Sequence, residues 1–190
     1  MSKTILDCTD NNCIFKLRDE ICNYILPVLK QKRPIIILCI GTDRSTGDSL
    51  GPLVGEKLKF LSRQNVYILG NLKKPIHAKN MQETMDYIKL TFKRPYIIAI
   101  DACLGNIDNI GKIIIQDKPI CPGAALDKKL PKVGNISITG IVNFSGSLEF
   151  MILQNTRLYT VMDLAEKISS GIYHSILKTL GGKKQSLSNT

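Results

Sequence analysis

The sequence has no tryptophan, only two histidines, and no Cys-x-x-Cys among its six cysteines. Structural zinc sites draw on clustered Cys and His ligands, so the sequence offers none. The cysteines at 8, 13, 22, 39, 103 and 121 are expected as reduced thiols, several of them in the core. No apolar run approaches the roughly 20 residues of a membrane span, and no membrane partner is expected. Met1–Cys8 lacks the long apolar region of a signal peptide, so a cytoplasmic location is expected. Gly-x-Gly-x-x-Gly is missing, which disfavours dinucleotide binding. Asp48 stands where a phosphate-binding P-loop requires lysine.

What is present is ordinary for a folded α/β protein. Hydrophobic residues make up 44% and charged residues 22% of 190 positions, enough for one domain over 1–190 with a sizeable core. Residues 1–12 and 183–190 are expected to be flexible. The net charge of +10 admits an acidic partner. However, the lysines are scattered (57, 59, 73, 74, 128, 129, 132, 183, 184) with no interleaved aromatics, so nucleic acid is not the expected partner. Self-association is left open.

The chain is organised around Ile35–Gly55. Ile35–Ile40 is an unbroken apolar run, as in a strand buried on both faces. A polar loop follows, and Gly51-Pro52 opens a helix with Leu50, Leu53, Val54, Leu58 and Leu61 on one face. Before it, Ile14, Leu17, Ile21, Ile25 and Leu29 mark an amphipathic helix that Pro27 is expected to kink or end. After it come a strand at Val66–Leu69, a helix capped by Asn80 and Glu83, and a strand over Tyr96–Asp101. Further strands are expected at Ile113–Ile115 and Ile136–Val142, with a long loop from Cys121 to Gly134. Leu148–Leu153 fits helix or strand, and a long helix runs from Leu158 to Gly181-Gly182. Alternating strands and helices predict a three-layer α/β/α sandwich with a mostly parallel sheet of about five strands.

Ligands in such sheets bind at the carboxyl ends of the strands. If the first and third strands are neighbours, Asp48 and Asp101 share one crevice. Helix capping is the stronger bland reading of Asp48. Asp101, ending the run Tyr-Ile-Ile-Ala-Ile, is costly unless paired or used. Two converging aspartates share a proton and activate water, or bind a divalent metal. Asp43 assists or pairs with Arg44. His77 reaches the same edge as acid, base or ligand, or is simply exposed. His174 reads as structural, and Cys103 as buried. Gly47-Asp-Ser-Leu-Gly51 matches a Gly-x-Ser-x-Gly elbow with Ser49, Asp101 and His174 in the required order. An elbow, though, needs strand and helix to abut its serine.

The segment Cys39–Gly55, together with Arg94–Ala102, Pro122–Ala124 and Leu153–Arg157, resembles the YyaC family of sporulation proteins over residues 34–170. More distantly, Gly47–Pro52 and Ile98–Ala102 are similar to two motifs of the spore germination protease. That protein shares a phosphorylase/hydrolase-like fold with the hydrogenase maturation endopeptidases. The resemblance implies an aspartate-dependent endopeptidase in which Asp48 and Asp101 form the pair, with spore small acid-soluble proteins as candidate substrates. In the maturation enzymes the acids at these positions help bind a metal. Here no histidine lies between His77 and His174 to supply their third ligand, and no cofactor is expected beyond such a metal. Two other readings stand beside this one: a catalytically silent binding or regulatory protein of sporulation, and a serine hydrolase using Ser49.

Overall fold

The computed structural model describes residues 2–122 and 132–181. Its centre is β2 (Ile35–Cys39), every residue of which is buried. A strand of five apolar residues with no polar face is stable only where both sides are covered. Alternation sends Ile35, Ile37 and Cys39 to one layer of core and Ile36 and Leu38 to the other.

Around it lie β1 (Lys3–Asp7), β3 (Val66–Leu69), β4 (Tyr96–Gly105), β5 (Lys112–Gln116) and β6 (Ile136–Phe144), in the spatial order β1-β5-β6-β4-β2-β3. The β3, β2, β4 and β6 neighbours are parallel. β5 runs against β6 and against β1, so it is the one reversed strand of the six. The first face is covered by α1 (Cys13–Lys30), α2 (Leu50–Leu58) and α5 (Leu158–Leu180), with α5 packed on both α1 and α2. The second face holds α3 (Met81–Thr91), whose Met81 and Ile88 meet Ile36, Leu38, Ile97 and Ala99. This is the expected α/β sandwich, one strand larger than the sequence indicated.

The added strand is β1, which corrects the expectation that residues 1–12 are loosely held. Leu6 is buried in the core, and all five residues pair with β5. Its charged flanks, Lys3 and Asp7, suit an edge strand and conceal it in the sequence. The tail from 183 lies outside the described residues. Pro27 does not end α1, which continues to Lys30. It stands on the exposed side of the last turn, where the lost N–H frees only the Asn23 carbonyl, also exposed. Leu148–Leu153 resolves as helix, α4 (Glu149–Gln154). No helix among the described residues is long and apolar enough to cross a membrane.

Candidate active site

Asp48 lies in a 3-10 turn, Gly47–Ser49, between the end of β2 and α2. Two glycines fit the turn against the sheet. Gly41 has φ +140°, and a Cβ there would stand 2.0 Å from the Asp48 carbonyl oxygen. Only glycine adopts that backbone without strain and leaves room for the turn. A Cβ on Gly47 would meet the Leu153 side chain at 2.7 Å, so its absence admits α4 against the turn. Asn143 of β6 fastens α4 from the other side, its amide donating to Ile152 O and Thr156 Oγ1 at 3.3 Å each. Leu148, entering α4, has φ 62°, an uncommon conformation for a branched residue.

Asp101 arrives on β4. Ile98 and Ile100 point into the core under α1, α2 and α5, whereas Ala99 points to the α3 face. Two-residue alternation therefore carries Asp101 onto the α3 face, beyond α3 itself. Asp48 and Asp101 line one cleft of about 580 Å³ with Cys103, Thr139, Ile114, Gln116 and Glu149. Lys118, Cys121 and Lys132 also line it. The first and third expected strands, β2 and β4, are indeed neighbours, and this adjacency brings the acids together.

The electrostatics separate the two carboxyls. Burial pushes Asp101 up to about 8, the Ala102 N–H works against this, and the charge of Asp48 adds to it. By accessible surface Asp101 is only partly buried, because it opens on the cleft; the protein around its carboxyl still removes most solvation. Among the described residues, its one hydrogen bond is accepted from Ala102 N–H at 2.8 Å. Burial also raises Asp48, and the nearby Ser45 hydroxyl offsets part of that. Ser45 Oγ is buried and has no hydrogen-bond partner among the described residues, so its influence is weak. The N-cap position of α2 is Ser49, which makes no side-chain cap hydrogen bond; Asp48 stands one residue before it, so the capping reading does not hold.

The other expected residues divide. Asp43 is exposed and does not line the cleft, and no ion pair joins it to Arg44 among the described residues. His77 lies at the sheet end expected of it, since Ile76 bridges Ile40. It too is absent from the cleft lining, and its buried Nδ1 has no partner among the described residues. Asn80 forms no capping box, because its Oδ1 accepts from His77 N–H at 2.8 Å instead. Cys103, expected buried, is partly exposed and lines the cleft.

The serine triad is not assembled. Ser49 is 7% exposed, its hydroxyl donates to Thr46 O at 2.7 Å, and nine residues separate it from the end of β2. His174 packs against Phe15 and Tyr173 on α5. Nor do the described residues complete a metal site: no three His, Cys, Asp or Glu side chains converge to hold an ion. Asp48 and Asp101 alone fall short of the three protein ligands of a catalytic zinc site.

Glu149, Thr139, Lys118 and Lys132 also line the cleft, and the sequence pattern does not single them out. Glu149 was hidden by the ambiguity of 148–153. Thr139 was findable, since it pairs in register with Asp101 on the parallel neighbour β6.

Residues 5–171 match the family described as protein of unknown function (DUF1256). The Bacillus subtilis protein described as uncharacterized protein YyaC is 49% identical over 140 residues, covering 74% of this chain and 68% of that one. Among solved structures, a NiFe hydrogenase maturation protease, HycI from Thermococcus kodakarensis, aligns with a TM-score of 0.50 at 20% identity. That alignment covers 77% of this chain and 93% of the other, and it shows a shared fold. A hydrogenase 3 maturation protease aligns more loosely, with a TM-score of 0.42 at 15% identity over 72% of this chain and 87% of that one. By the family match and by its likeness to YyaC, the chain belongs to the DUF1256 (YyaC) family.

Proposed function

We propose that the protein is a peptidase that hydrolyses a peptide or protein bond with the Asp48–Asp101 pair. The observation that carries this reading is that both carboxyls line one cleft and both are held above the ordinary carboxylate range, Asp101 far enough to stay protonated at neutral pH. A carboxylic acid beside a carboxylate is the acid–base arrangement that amide hydrolysis needs. Asp48 takes a proton from water as the water oxygen attacks the scissile carbonyl carbon. Asp101 gives its proton to the developing oxyanion. Collapse of the tetrahedral intermediate breaks the C–N bond: one hydroxyl of the diol returns its proton to Asp101 as the new carbonyl forms, and the proton held by Asp48 goes to the leaving amine.

The setting implied by the YyaC resemblance is the cytoplasm of a sporulating cell or spore, with small acid-soluble spore proteins as candidate substrates. Lys118 and Lys132 at the cleft suit an acidic substrate segment.

The test is incubation of the purified chain with a proteome-derived peptide library and with spore small acid-soluble proteins, read by mass spectrometry. Asp48→Asn and Asp101→Asn are each expected to lower cleavage about 100- to 10,000-fold. Cleavage unchanged in either variant overturns the mechanism. Saturable binding without any cleavage supports the silent binding protein instead.

A further inference from the structure

The opposite edge of the sheet carries a second groove, of about 680 Å³, lined by β3, the loop before it, Gly55 of α2, Tyr87 of α3, and Lys59 and Phe92 just beyond those helices. β3 ends the strand order, so one of its sides is unpaired. Ile35 N–H donates to Asn65 O at 2.8 Å, and Ile35 is in register with Val66. In a parallel ladder this turns the polar backbone groups of Tyr67 and Leu69 toward β2 and those of Val66 and Ile68 outward. The Val66 N–H is used locally on Arg63 O at 3.2 Å. The Val66 carbonyl and both groups of Ile68 are left along the groove.

Two further features say what fits there. Tyr67, Tyr87 and Phe92 form one wall, with ring centroids 4.5 Å apart for Tyr67 and Phe92 and 6.2 Å for Tyr87 and Phe92. Arg63 lines the groove with donors to spare. Its Nη1 donates to Ser62 O at 2.7 Å, whereas its Nε is buried and has no partner among the described residues. The Nε–Nη2 edge of a guanidinium is the side that grips a carboxylate with two bonds. Lys59 also lines the groove but its ammonium is paired with Glu56, so Arg63 is the cation that faces a ligand there; no acidic residue lines the groove.

We propose that this groove docks an extended acidic peptide, which adds a short strand to β3 through Ile68. The peptide sets a carboxylate on Arg63 and an apolar side chain against the aromatic wall. Backbone pairing supplies the register and the side-chain contacts supply selectivity. The site lies at the β3 edge, away from the Asp48–Asp101 cleft, and stands whether or not that cleft cleaves anything.

The probe is a fluorescein-labelled heptapeptide of alternating valine and glutamate, titrated against the full chain by anisotropy. Its controls replace glutamate with lysine, or N-methylate alternate backbone nitrogens. Because the chain carries a net charge of +10, the variants decide the matter. Arg63→Gln is expected to weaken binding about tenfold or more, and Arg63→Lys, which keeps the charge but loses the fork, by a comparable factor. N-methylation is expected to weaken binding to the unaltered chain, a result that does not depend on any variant folding. Equal binding of the lysine peptide or of the N-methylated peptide overturns the proposal. So does undiminished binding to Arg63→Gln. A dimer in sedimentation that Arg63→Gln dissociates assigns the edge to a second copy and also overturns it.

Discussion

The Thr42 N–H donates to the Asp48 carbonyl oxygen over 3.0 Å, closing the loop after β2 on itself. This backbone contact holds the 3-10 turn at the sheet end and fixes where the Asp48 side chain emerges. It exists because Gly41, just before Thr42, adopts φ +140° and offers no Cβ.

Gly41→Ala is therefore expected to damage both fold and site. The new methyl would lie 2.0 Å from the Asp48 carbonyl oxygen, in a backbone conformation that L side chains rarely adopt. Thermal or urea unfolding is expected to show a loss of about 1–3 kcal/mol or more. An unaltered midpoint would mean that the turn is not held as described.

Asp101 makes stability depend on pH with a definite sign. Its carboxyl is raised from 3.8 in an unfolded chain to about 8 in the fold. Between those values the folded state holds a proton that the unfolded state has released. Stability therefore falls as pH rises through that window. Asp101→Asn removes the titrating group, so its stability is expected to vary less between pH 5 and 8 than that of the unaltered chain. The measurement is a set of urea midpoints at several pH values. Equal slopes for the two proteins would count against a protonated Asp101.

Ser49→Ala is expected to leave hydrolysis within about twofold of the unaltered chain, because the hydroxyl is buried and spent on Thr46 O. Its cost is that of one local hydrogen bond, about 1 kcal/mol. Abolished cleavage, or labelling of Ser49 by a fluorophosphonate, would revive the serine hydrolase reading.

The parts of this site legible in the sequence are those fixed by short-range pattern. Ile35–Ile40 announced a strand covered on both faces, and Tyr96–Ile100 announced its neighbour with an acid at its end. Their adjacency followed from the common arrangement of α/β units. Other parts depend on packing between distant segments. The strand Lys3–Asp7 exposes three of its five residues, so its alternation is faint, and only pairing with β5 defines it. Glu149 reaches the cleft because Gly47 lets α4 settle against the turn, a contact across a hundred residues of chain. Asp43 shows the reverse error. Nearness to Asp48 along the chain places it on the same loop, yet it stays in solvent.

The proton on Asp101 is the most direct point of attack. Carbon-13 labelled aspartate in the full chain allows each carboxyl to be followed by NMR through a pH titration, with Asp101→Asn and Asp48→Asn assigning the signals. The expected result is an Asp101 carboxyl titrating near 8. In Asp48→Asn it is expected to fall yet stay above 3.8, because burial is the larger cause and the charge of Asp48 the smaller. An Asp101 signal titrating near 4, indifferent to Asp48, would contradict a shared cleft that holds one proton between the two acids.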